Sequence, residues 1–97
     1  GLRLAQALLK SEPKPEISVF LMADAVVCAK GGQKVPQGFY NLELMTRSVL
    51  RNGEVLLCGT CMDARGLSDD DLIAGAQRST MDELSARTLQ ADHVLVF

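Results

Sequence analysis

Cys58 and Cys61 stand three residues apart in the stretch Val55-Leu56-Leu57-Cys58-Gly59-Thr60-Cys61-Met62-Asp63-Ala64-Arg65-Gly66. A thiol pair at this spacing suits disulfide exchange, which runs through the thiolate, or zinc binding. A free thiol with a pKa of about 8.5 is only a few per cent ionised at neutral pH, so reactivity needs help from the surroundings. Arg65 is the nearest fixed charge in the sequence. A thioredoxin-like use would need the first cysteine at a helix N-terminus. Here the next helix is expected only from Ser68, with Gly66 intervening. Zinc binding would need four ligands, and beyond this pair the chain offers only Cys28 and His93 besides carboxylates. His93 is expected to open a strand, which places it about 15 Å from the edge where Cys58 ends its own. The inert reading makes Cys58 a small buried hydrophobe, Cys61 a loop residue and Cys28 a core residue. No Gly-rich phosphate fingerprint, Ser-His-Asp grouping or metal pattern among the methionines is present.

The elements that must hold these thiols follow from periodicity and punctuation. Residues 55–57 are an uninterrupted apolar run behind the turn signal Asn52-Gly53, the pattern of a strand covered on both faces. Strands of that kind lie in parallel sheets, whose ligand crevices open at the carboxyl ends, where Cys58 falls. Residues 17–23 form a second such strand, with Asp24 expected as N-cap of a helical turn over 25–30, so Asp24 shares an edge with Cys58. The Gly-rich segment 31–38 reads as a loop able to cover that edge. Residues 1–10 have helical spacing but no capping residue ahead of them, which suggests upstream sequence, and the Pro-containing segment 11–16 ends that helix. Asn41 caps a helix to about residue 51. Ser68 with the acids 69–71 is expected to cap a helix carrying Leu72, Ile73 and Ala76. Thr80-Met81-Asp82-Glu83 is a capping box for a helix to about residue 90, and residues 93–97 read as a terminal strand. The order predicts a single domain, a three-layer α/β/α sandwich with a parallel sheet of residues 17–23, 55–58 and 94–97.

Composition narrows the function classes. Ninety-seven residues make one domain, and a chain of this size buries only about 60–65% of the surface its unfolded form exposes. Ten basic against twelve acidic residues give a net charge of −2, with no basic run to attract nucleic acid or anionic membranes. The longest apolar run is far below the ~20 residues of a membrane span. Three cysteines make an odd number without a disulfide framework, which points to reduced thiols and the cytoplasm.

The residues Leu57-Cys58-x-Thr60-Cys61-x-Asp63-x-Arg65-Gly66, with Phe20-Leu21-Met22-x-Asp24-Ala25-Val26, Gly32-Gln33-Lys34 and the ending Ala91-Asp92-x-Val94-Leu95-x-Phe97, resemble the DsrE/DsrF-like family and its small YchN-like branch. The resemblance runs in order along the whole chain. It implies a cytoplasmic α/β sandwich with a parallel sheet, no cofactor, and homotrimers or homohexamers with cysteines near subunit contacts. It also implies a first strand and loop ahead of Gly1, missing from this chain, about twenty residues in all. The family's sulfur-relay members carry sulfur as a persulfide on one cysteine. On that pattern Cys58 is the carrier, receiving sulfur from a donor protein and passing it to an acceptor. Cys61 resolves the persulfide as a disulfide, and Arg65, Asp63, Thr60 and Asp24 support the site. The alternatives are a non-catalytic oligomeric binding or scaffold protein, and a dithiol oxidoreductase using Cys58 and Cys61.

Overall fold

The turn Asn52-Gly53 launches the strand on which the molecule is built. A side chain at Gly53 would place its Cβ 2.9 Å from the Ile17 carbonyl oxygen and 3.3 Å from that of Val49, so only glycine lets the two chains approach this closely. Glu54 N–H then donates to the Ile17 carbonyl, and the chain enters the sheet. The computed structural model describes all residues, Gly1–Phe97. Its elements are α1 (Leu2–Leu8), β1 (Ser18–Leu21), a 3-10 helix (Ala23–Ala29), α2 (Leu42–Leu50), β2 (Glu54–Cys58), α3 (Gly59–Asp63), a 3-10 turn (Asp69–Asp71), β3 (Gln77–Ser79) and α4 (Met81–Gln90).

The three strands are parallel in the order β1-β2-β3. Leu21 pairs with Leu57 and Cys58 with Ser79, so the carboxyl ends line up. Successive side chains of a strand face opposite ways. Val55 and Leu57 point into the main core with Leu21, Val26, Ala29, Val49, Met62 and Leu67. That core lies between the sheet and the layer of α1, α2, α3 and the first 3-10 helix, and α1 with its C-cap adds Ala5 and Leu9 to it. Glu54, Leu56 and Cys58 face the other way, and α4 is attached on the Glu54 side. There the attachment is polar: Arg87 binds Glu54 and the Ser18 hydroxyl, and the Ser79 hydroxyl donates to Glu83 at 2.8 Å. No residue of α4 is buried. This is the expected α/β fold with a parallel sheet between helices.

The third strand and the segment after Ser68 differ from expectation. The third strand is Gln77–Ser79, not residues 94–97, which form no strand and lie exposed, Val96 to 90%. A strand exists only where a backbone ladder receives it, and β-branched composition cannot supply a partner. Conversely, short polar Gln77-Arg78-Ser79 is held by its pairing with β2 and suits a sheet edge. The helix expected over Leu72, Ile73 and Ala76 is only the 3-10 turn Asp69–Asp71. Beyond it the chain extends to pair with the segment after Ala29: Ile73 N–H donates to Ala29 O and Gly31 N–H to Asp71 O, both at 2.8 Å. Burial of Ile73 against that segment outweighs the local capping signal, although the Ser68–Asp71 capping box itself is formed.

Candidate functional site

Cys58 ends β2 and is the N-cap of α3, so the strand turns directly into a helix at the thiol. The expectation of an open loop until Ser68 is corrected here. Met62, fully buried, draws the segment onto the core, and Gly59 lets the chain bend beneath the Arg78 side chain. Cys61 is the third residue of α3 and so faces back toward its cap. Cys58 is 6% exposed, while Cys61 is half-buried. The Thr60 hydroxyl lies 3.2 Å from Cys58 Sγ. This hydroxyl, followed by the Cys61 thiol and the Cys61 main-chain N–H, holds the Cys58 pKa below its ordinary value, against a smaller opposing effect of burial. The main-chain groups add to the pull without closing a formal capping bond. Each cause is a hydrogen bond that favours the anion.

Arg65 stands differently from the sequence expectation. Its Nε and Nη2 donate to Asp24 Oδ1 at 3.0 and 2.8 Å, and its Nη1 donates to the Cys61 carbonyl at 3.0 Å. The guanidinium thus fastens α3 to the first 3-10 helix, and the lowering at Cys58 is carried by Thr60 and Cys61. Asp24 lies within that 3-10 helix, whose N-cap is Met22, and not at the cap itself. Ala23, just before it, has φ of 52°, a left-handed conformation that L-residues other than glycine seldom adopt. Asp24, Cys61 and Arg65 are therefore one cluster on the carboxyl rim beside Cys58.

Asp63 meets a partner that the sequence did not single out. Arg78 on β3 donates from Nη2 to Asp63 Oδ1 at 3.0 Å, from Nε to Asp69 Oδ1 at 2.9 Å, and from Nη1 to the Gly59 carbonyl at 3.1 Å. The sequence reading assigned residues 77–79 to no element, so nothing in it placed Arg78 near Cys58. Gly59, beside the cysteine, was the only hint of a close approach. His93 lies in the exposed terminal segment and opens no strand. Cys28 sits apart on the first 3-10 helix, its pKa raised by desolvation. No three His, Cys, Asp or Glu side chains converge closely enough to hold a metal ion. A groove of about 610 Å³ runs along α2 between Leu44, Arg47, Leu50, Arg51 and Ala74, away from the cysteines.

Fold and site together define a small α/β domain with a hydrogen-bonded cysteine at the carboxyl end of its central parallel strand. The profile of the DsrE/DsrF-like family matches residues 1–97, and the chain belongs to that family, which is associated with sulfur relay. Protein YchN of Escherichia coli (strain K12) is 42% identical over 97 residues, covering 100% of this chain and 83% of YchN. Protein MK0008 of Methanopyrus kandleri is 36% identical over 91 residues, 94% of this chain and 73% of its own length. The crystal structure of E. coli YchN superposes with a TM-score of 0.91 at 44% identity, covering 99% of this chain and 82% of that one. No helix is long and apolar enough to cross a membrane.

Proposed function

We propose that this protein carries sulfane sulfur on Cys58. The carrying observation is the Cys58 thiol itself, at the end of β2 with its pKa lowered by the Thr60 hydroxyl. The Cys58 thiolate attacks the outer sulfur of a donor persulfide, R–S–SH. A bond forms between Sγ and that sulfur, the donor's S–S bond breaks, and R–S⁻ leaves with the electron pair. Cys58–S–SH results, with the proton kept on the outer sulfur. An acceptor thiolate then takes that outer sulfur by the same displacement, returning Cys58 to the thiolate. The site needs no cofactor for either step.

A second outcome rests on the position of Cys61 in the first turn of α3, three residues from Cys58, where its thiol and N–H help lower the Cys58 pKa. A Cys61 thiolate attacking Sγ of the persulfide forms the Cys58–Cys61 disulfide and releases HS⁻, and a low-molecular-weight dithiol must then reduce the pair. Incubation with a cysteine desulfurase and cysteine, followed by intact-mass measurement, tests the carrier reading. An adduct of about +32 Da located on Cys58 supports it. Its absence in wild type and in Cys61→Ser overturns it.

The homotrimer or homohexamer implied by the family belongs to the same proposal. Phe39, 73% exposed, and neighbouring Tyr40 and Leu44 form an apolar surface suited to a subunit contact. Light scattering of the purified protein decides it, since a monodisperse monomer would exclude both assemblies. A cytoplasmic setting, where thiols stay reduced, completes the reading.

A further inference from the structure

Helix α3 has five residues, too few to hold its own start by hydrogen-bond cooperativity. The contact between Thr60 and Cys58 nevertheless depends on where that helix begins. Arg78 supplies the missing constraint. Anchored on β3 opposite Leu57, it sends one planar guanidinium to the Gly59 carbonyl at the start of α3, to Asp63 at its end and to Asp69 in the following 3-10 turn. The side chain lies directly across Gly59: a Cβ there would stand 3.0 Å from Nη1 and 3.1 Å from Cγ of Arg78. Glycine beside the cysteine and arginine on the neighbouring strand are thus two halves of one arrangement. Lysine could place a charge here but could not make three divergent bonds from a fixed plane.

We propose that Arg78 is a positioning residue for Cys58: by pinning both ends of α3 it holds the Thr60 hydroxyl against Sγ and so sets the reactivity of the thiol. This deepens the sulfur-carrier reading, since it concerns the same cysteine, but it is measured without any sulfur donor. The experiment follows the rate of iodoacetamide alkylation against pH in the full chain, with Cys58 resolved from Cys61 and Cys28 by fragment-ion mass spectrometry. Wild type is compared with R78Q, R78K and D63N, and the thermal midpoint of each is recorded alongside. R78Q is expected to move the Cys58 profile to higher pH and to slow its alkylation at pH 7 by about threefold. R78K moves it in the same direction because the fork is lost although the charge remains. D63N, which weakens one exposed tether by removing its charge, gives a smaller shift of the same sign. Cys28, outside this network, keeps its profile throughout, which separates positioning from general loosening.

An unmoved Cys58 profile in a folded Arg78 variant overturns the proposal, as does an equal shift at Cys28. If neither Arg78 variant folds, D63N decides alone, and an unmoved profile there is equally fatal. A moved profile without persulfide formation keeps the role of Arg78 and removes the sulfur-carrier reading. Persulfide formation with an unmoved profile does the reverse.

Discussion

Thr60→Val deletes one hydroxyl and keeps the shape of the side chain, so it isolates the hydrogen bond to Cys58 Sγ, 3.2 Å long. When Cys58 ionises, the hydroxyl donates to a charged acceptor, an interaction worth roughly 1.5 kcal/mol at the lower end of its range, which suits an exposed threonine open to water. Its loss reduces the thiolate fraction at neutral pH by about tenfold. The rate does not fall by the same factor. A more basic thiolate is also a better nucleophile, with a Brønsted slope of about 0.4–0.5, which returns about threefold. The net expectation for T60V is alkylation about three- to fourfold slower at pH 7, but about threefold faster above the titration, where every Cys58 is ionised. The crossing of the two pH–rate curves is the diagnostic result, because restricted access would slow the reaction at every pH. T60S, which keeps the hydroxyl, follows wild type. Curves for T60V that superpose on wild type would show that the hydroxyl does not tune this thiol.

Leu57→Ala empties a fully buried position at the centre of the sheet and should cost about 2–5 kcal/mol, a large share of the roughly 5–15 kcal/mol expected of a domain this size. A urea midpoint close to wild type would contradict the described core. Ala23→Gly relieves a left-handed φ of 52° and should stabilise by about 1 kcal/mol, raising the thermal midpoint by about 4–8 °C. A lower midpoint would mean that the backbone there is not strained. Three carboxylates sit below their ordinary range: Glu54 through Arg87 and then Ser18, Glu43 through Arg47 and the Gln33 N–H, and Asp71 through the Ser68 N–H and hydroxyl. Since the unfolded chain binds protons first as pH falls, their stabilisation is complete above about pH 5 and is lost as pH drops through the lowered values. Urea midpoints measured from pH 7 to pH 3 should fall accordingly, and E54Q should flatten that dependence.

The sequence disclosed those parts whose causes are local. The apolar run before Cys58, the Asn41 cap and the Thr80 cap each formed where their own chemistry placed them, Asn41 accepting from the Leu44 N–H at 3.1 Å and Thr80 from the Glu83 N–H at 3.2 Å, while the Glu83 carboxylate turns to Ser79 and Arg87 instead of closing the box. Parallel pairing then brought Asp24 and the Cys58 segment to one rim, joined by Arg65. What stayed hidden depends on distant partners. Gln77-Arg78-Ser79 has no strand character of its own and becomes a strand through β2. Residues 94–97 have the character but no ladder. Leu72 and Ile73 abandon a helix because the chain near Ala29 offers amide partners. The largest effect fell on the site, since misplacing the third strand concealed Arg78, and with it the reason that a glycine follows the cysteine.

The polar seating of α4 determines how the molecule breathes. A helix without a buried residue, fastened by Arg87 to Glu54 and Ser18 and by Glu83 to Ser79, can detach without exposing the main core of Val55, Leu57 and Met62. Such a unit opens at a small fraction of the global unfolding free energy, so its amide protons should exchange with solvent long before those of β2. Ion pairs weaken in salt while apolar packing does not, and raised ionic strength should therefore hasten exchange in α4 selectively. Each opening frees Glu54, Ser18 and Ser79, the residues through which the sheet holds this helix.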